Sequence, residues 1–210
     1  MADVRRVPPG RAGKQWLVHR LRTGRLAADL LDRKLRILTG RRRTLAERAA
    51  RTGRRWRAAW QEADRWGRRG AVLGGRRELR LAAAPGQPVR VVVDWGEVMG
   101  VRHPVGVRCT LPDPAPGARG PGTAALVVAA ASYRAAVVAA AEHAAAEAAV
   151  ARVTAAIADT RRQQHAIADR WLPALETALR ERTARLAEDE LAEAVRLRWA
   201  SRSGGQQATG

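Results

Sequence analysis

Apolar residues recur with a helical period over two long stretches of the chain. Within 12–69, alternating steps of four and three from Leu17 reach Leu21, Gly24, Ala28, Leu31, Leu35, Leu38, Arg42, Leu45, Ala49, Thr52 and Trp56. Apolar side chains sustained at that spacing form the seam of a coiled coil, which is narrower than the buried face of a globular helix. Pro8 and Pro9 stand just ahead of the stretch, where a fixed φ suits a helix entry. Gly24, Gly40 and Gly53 lie inside it, and each weakens the helix by about 1 kcal/mol relative to Ala. The second stretch, 123–200, carries its seam through Val150, Val153, Ile157, Thr160, Gln164, Ile167 and Trp171. After a shift of phase the seam resumes at Leu175, Leu179, Leu186, Leu191 and Val195, a stutter that alters winding without ending the contact. Pro173 has no N–H to donate and predicts a kink near Asp169.

The segment between them, 70–122, has a different grammar. Gly74-Gly75, Pro85-Gly86, Pro88, Gly96, Gly100, Pro104, Pro112, Pro114, Pro116-Gly117 and Gly120-Pro121-Gly122 punctuate it as turns. Val89, Val91 and Val93 alternate with a period of two, as do Val105, Val107, Cys109 and Leu111. That pattern predicts two short strands forming a hairpin, with Trp95 and Val98-Met99-Gly100-Val101 in the loop between them. The fold class is therefore mainly α, a long antiparallel two-helix coiled coil whose turn-rich insert contains a short β-hairpin. Long helices gain little stability in isolation, so each supplies the other's buried stripe. The expected organisation is an N-terminal extension over 1–11, a coiled-coil helix over 12–69, the insert over 70–122 and a second coiled-coil helix over 123–200. The polar, Gly-rich tail 201–210 is expected to be disordered.

Composition narrows the picture. At 210 residues the chain is one domain or two small ones. Phe is absent and aromatic residues make up 4%, too few to fill a conventional globular core. Cys109 is the only cysteine, which excludes a disulfide scaffold. Residues 1–16 contain no apolar run of the kind a secretory signal needs. The longest apolar stretch, 123–141, is mostly Ala and carries Arg134 near its middle, which reads as a packed helix rather than a membrane span.

The net charge is +19, and +15 of it falls in residues 1–70. Of 39 basic residues only Lys14 and Lys34 are lysines. Arg41-Arg42-Arg43 and Arg54-Arg55, beside Trp56 and Trp60, raise nucleic acid as an alternative partner, with Arg on phosphates and Trp stacked on bases. The arginines recur all round the helix rather than forming one stripe. Trp56, Trp60 and Trp66 fall at steps of four and six, which places at least two on one packing face.

Catalytic signals fail one by one. Gly10-Arg11-Ala12-Gly13-Lys14-Gln15 has two residues between its glycines, Gln after its lysine and no preceding strand, so it lacks the phosphate-loop layout. His19, His103, His143 and His165 share no metal-ligand spacing with one another or with Cys109. Glu188-Asp189-Glu190 with Glu193 reads as a solvated helix face. No catalytic, cofactor-binding or metal-binding residue is expected, and no cofactor.

Three motifs carry a family resemblance. Val7-Pro8-Pro9-Gly10-Arg11, followed by Leu17, Arg20-Leu21, Gly24, Leu30-Leu31, Lys34-Leu35 and Leu38, resembles the opening of the D subunits of V-type/A-type ATP synthases. Val98-Met99-Gly100-Val101-Arg102-His103-Pro104 resembles that family's Met-Gly-Val-x-x-Pro turn. Thr160-Arg161-Arg162, then Leu172-Pro173-Ala174-Leu175-Glu176, resembles its basic run and its Leu/Ile-Pro-x-Leu-Glu signature. The motifs occur in the family's order, whereas Arg, Ala and Trp here replace much of the Lys, Glu, Phe and Tyr usual in its helices. The resemblance implies a non-catalytic central rotor shaft that couples ion (proton) translocation to ATP synthesis or hydrolysis. Its implied partners are the A and B subunits of the catalytic head, the F subunit of the stalk, and the C subunit, the socket above the membrane ring. It implies a place in a peripheral complex on the cytoplasmic face of the cell membrane, with membrane association indirect. The rival readings are an Arg-rich coiled-coil nucleic-acid-binding protein and a scaffold coiled coil indifferent to both kinds of partner.

Overall fold

The computed structural model of the chain describes residues 7–82, 88–113 and 122–207. Helix α1 spans Gly10–Ala82, strand β1 Arg90–Val98, strand β2 Val101–Thr110 and helix α2 Ala124–His165. A π-helical turn, Ala166–Trp171, leads into helix α3, Leu172–Gln207. Long N-terminal and C-terminal helices pack together with a small antiparallel hairpin between them in sequence. The chain divides into two compact units, one of Met1–Lys34 with Asp159–Gly210, the other Leu35–Ala158.

In the first unit α1 runs antiparallel to α3, with Leu17, Leu21 and Leu175 buried together. Trp16, Trp171, Ala178 and Leu179 flank that cluster. The ion pairs Arg11–Glu190 (2.8 Å) and Arg25–Glu176 (2.9 Å) sit on its solvent side, where such pairs contribute about 0–1 kcal/mol each. Gly24 is buried at the seam. A Cβ there would come within 2.7 Å of the Trp171 ring and 2.8 Å of Leu172, so this glycine permits a close approach of helices instead of merely weakening α1. α1 is continuous through Gly24, Gly40 and Gly53.

Ahead of Pro173, where a kink is expected, the helix forms the π turn. The Leu172 N–H donates to the Ile167 carbonyl, five residues back. A turn of that kind holds one more residue than an α turn, which is the phase shift read between Trp171 and Leu175. Beyond Glu190 the expected seam departs from the structure. Leu191 is 68% exposed and Val195 is exposed too, because the Arg11–Glu190 pair already lies at the first turn of α1. α3 continues as helix to Gln207, into the segment expected to be disordered.

In the second unit the core consists of Leu38 and Leu45 of α1 with Ala149, Val153 and Ile157 of α2. α1 does not stop near Arg69; it reaches Ala82, with one non-helical residue at Gly75 (φ 68, ψ 176). Gly70 and Gly74, read in sequence as insert boundary and turn, are instead packing surfaces. Cβ atoms there would meet Leu126 at 2.6 and 2.9 Å, so the absence of a side chain brings α2 close. The apolar start of α2 buries Ala125, Leu126, Ala129 and Ala136. By length and composition the helical stretch Ala124–Ala200 is nonetheless apolar enough to cross a membrane.

β1 and β2 pair antiparallel from Arg90↔Thr110 to Val98↔Val101. Trp95 lies within β1 rather than in a loop, and the turn is reduced to Met99-Gly100. Positive φ at both turn residues (50° and 80°) matches the twist of the flanking strands. The register skips Val105 between Asp94↔Gly106 and Trp95↔Pro104. That bulge accommodates Pro104, which has no N–H for the ladder. Val98 and Val101 anchor the turn on the Leu38–Val153 cluster. Met99 is 41% exposed with a left-handed backbone, a conformation costing a bulky residue about 1–2 kcal/mol. Met99→Gly is expected to raise the stability of the hairpin by about 1 kcal/mol, measured as slower amide exchange across β1 and β2; unchanged or faster exchange would contradict it. The segments 1–6, 83–87, 114–121 and 208–210 lie outside the described residues. They include the start of the expected extension and the turns at Pro85-Gly86, Pro114, Pro116-Gly117 and Gly120-Pro121.

Candidate interaction surface

The residues singled out for chemistry are scattered and mostly occupied. Gly10–Gln15 forms the first turns of α1. His19 is exposed, His143 stacks on Trp56 with ring centroids 5.5 Å apart, and His165 Nδ1 lies 2.8 Å from the Asp169 carboxylate across the π turn. Cys109 is a half-buried free thiol on β2. Among the described residues no three His, Cys, Asp or Glu side chains converge as a metal site. Of the acidic run, Glu190 is engaged by Arg11 and the remainder is exposed.

Part of the basic segment is used within the chain, while Arg42 and Arg54 are exposed. Arg41 Nε donates to His103 Nε2 (3.2 Å), Arg48 donates to the Val105 carbonyl, and Arg55 pairs with Glu142 (3.3 Å). Arg43 lies 3.6 Å from Glu47. Arg68 is held further toward its charged form by the hydrogen bond it gives Asp64 and then by that carboxylate's charge. The tryptophans are similarly committed. Trp60 meets Tyr133 edge-on (6.0 Å), and Trp66 donates its indole N–H to Glu62 (2.7 Å) while Arg69 lies over its ring. Tryptophans engaged by His143, Tyr133, Glu62 and Arg69 do not form an open row of stacking platforms for bases.

The surface open to association is apolar instead. At the end of α3, Leu191, Val195, Leu197 and Trp199 are all at least half exposed. Leu191, Val195 and Trp199 follow at intervals of four, which places them on one helix face. On the hairpin, Val91, Val92, Trp95 and Met99 are exposed. Val72 and Leu73 of α1 and Val127 and Val137 of α2 are exposed as well. Concentrated exposed apolar surface marks sites of association.

The seam spacing predicts burial for Leu191 and Val195, and for His103 the sequence shows only that it lacks metal-ligand spacing. His103 is 1% exposed. The one signal available for it was Pro104 beside it, since a proline inside a strand pattern indicates a bulge and a local change of direction. A family model for the D subunit of ATP synthase matches residues 15–202. No curated protein matches the chain.

Proposed function

From the premise that the chain belongs to the ATP synthase D-subunit family, a family of rotary ATP synthase stalk subunits, we propose that it is the non-catalytic rotor shaft of a V/A-type ATP synthase. The continuous family match over residues 15–202 carries this reading. The shaft links proton flow through the membrane ring to ATP synthesis or hydrolysis in a head of A and B subunits. It is a coiled coil that binds the F subunit, stands on the C subunit, and works at the cytoplasmic face of the cell membrane within a peripheral complex.

The structure supports this reading by what it supplies. Transmitting torque requires stiff elements and asymmetric surfaces, not a reactive group. Buried seams at Leu17–Leu175 and at Leu38–Val153 stiffen the helix pairs, while the hairpin makes one side of its unit unlike the others. The exposed end of α3 is the surface assigned to the head. The exposed apolar residues Val72 and Val127 suit the stalk partners.

The test is a pull-down of the tagged chain from detergent-solubilised native membranes at moderate salt. Stoichiometric A, B and F subunits are the expected result; nucleic acid with nucleoid proteins and no head subunits would overturn the reading. In the same assay a Leu191→Ser/Leu197→Ser variant is expected to fold normally. Exposed substitutions change stability by no more than about 0.5 kcal/mol, yet head subunits are expected to be lost from the eluate. Full recovery of the head would remove the end of α3 from the proposed interface.

A further inference from the structure

The Arg41–His103 contact has a direction that fixes a protonation state. A carbonyl oxygen only accepts and a guanidinium only donates. His103 Nδ1 lies 3.2 Å from the Gly96 carbonyl and must carry the hydrogen of that bond. Its Nε2 receives the Arg41 Nε–H at 3.2 Å and must be bare. Only the neutral Nδ1–H tautomer satisfies both partners. A proton on Nε2 would remove the acceptor and set an imidazolium against a guanidinium inside a site where the ring is 1% exposed.

The surroundings offer such a cation no compensation. From α1 the hairpin receives Arg41 and Arg48, the latter bonded to the Val105 carbonyl. From α2 it receives Arg152, 4.8 Å from the centre of the Trp95 ring. On the hairpin itself Arg102 also lies over Trp95 (5.6 Å), and Glu97 stands opposite Arg102 in the register. Asp94 is engaged by Arg108 (2.8 Å). Among the described residues no carboxylate bonds the imidazole. His103 and Arg48 hold successive parts of β2, one on each side of Pro104, so losing the first loosens the strand at its bulge.

We propose that His103 is a proton-sensitive clip, whose neutral form holds the β-hairpin on α1 and whose protonation at Nε2 by solvent releases it. The clip makes the placement of the hairpin, with exposed Trp95 and Met99, responsive to acid.

The test uses the full-length chain labelled with ¹⁵N, followed by side-chain and backbone spectra from about pH 8 to about pH 5, the range in which histidine switches operate. His103 signals are assigned by their absence in His103→Gln. The expected result is the Nδ1–H tautomer at the upper end, with protonation of the ring tracked by a rise in β1 and β2 amide exchange of about tenfold or more beyond the intrinsic pH effect. An Nε2–H tautomer, or hairpin protection unchanged while the ring titrates, would overturn the clip. His103→Gln keeps an acceptor and a donor without a titrating group, so its hairpin protection is expected to lose the pH dependence. The wild-type profile persisting in that variant would equally overturn it. Should Gln fail to dock the hairpin, the wild-type tautomer and the co-titration decide the matter alone.

Discussion

Leu38→Ala is expected to destabilise the chain by about 2–5 kcal/mol, the range for removing a fully buried leucine side chain. Leu38 is 0% exposed and belongs to one buried cluster with Leu45, Ala149, Val153 and Ile157, with Val98 and Val101 of the hairpin packed against it. Ala149, in the same cluster, is too small to fill the space that is left. The cost therefore belongs toward the upper part of that range. It is read from urea unfolding, as a fall in midpoint at unchanged slope. Amide exchange at Val98 and Val101 is expected to accelerate in the same variant, since their anchor is lost. A destabilisation below about 1 kcal/mol would be outside the large-to-small range and would show that this cluster does not hold the unit together.

Gly24→Ala is expected to destabilise by about 1–3 kcal/mol, as added volume does in a packed interior. Elsewhere in a helix the same change helps by about 1 kcal/mol, because Ala loses less backbone freedom on folding. Here the new methyl would lie 2.7 Å from the rigid Trp171 ring and 2.8 Å from Leu172. Both neighbours belong to or adjoin the π turn, so backing away means moving backbone. The decisive measurement is a double-mutant cycle with Trp171→Leu. If crowding by the indole is the cause, Gly24→Ala costs markedly less in the Trp171→Leu background, a coupling typical of residues in contact. Additive effects would assign the cost to something other than the indole.

These two positions also show what was legible in the sequence. Leu38 announced itself through the four-three spacing, because seam periodicity is a direct record of burial on one side. The hairpin was equally visible in its alternating valines. Gly24, Gly70 and Gly74 were not legible in the same way. A glycine in sequence records only an absent side chain, and whether that absence serves a turn or a close approach depends on what lies opposite, here Trp171 and Leu126. Trp95 was placed in a loop because Gly96 and Pro104 look like breakers; the bulge at Val105 removes the conflict.

The interaction surface was harder to read. Leu191 and Val195 continue the seam pattern, but periodicity does not reveal where the opposing helix begins, and α1 starts at Gly10 opposite the Glu190 region. The arginines around Trp56 suggested an outward-facing polyanion site. Their partners, Glu142 and the carbonyl of Val105, lie far away in sequence and no local pattern links them to residues 48 and 55. Burial of His103 depended on the same long-range placement.

The π turn at Ala166–Trp171 has a consequence for how the chain tolerates changes in length. Along an α-helix one deleted residue rotates everything beyond it by about 100°, which in α1 would carry a whole row of leucines off its partner. Within Ala166–Trp171 a surplus residue is already stored in the wide turn. Losing one there tightens π to α and leaves Leu175 and Leu179 at the azimuth they now occupy. The chain thus has a length buffer beside Pro173, at which homologues could differ by a residue while keeping every leucine beyond it on its present face.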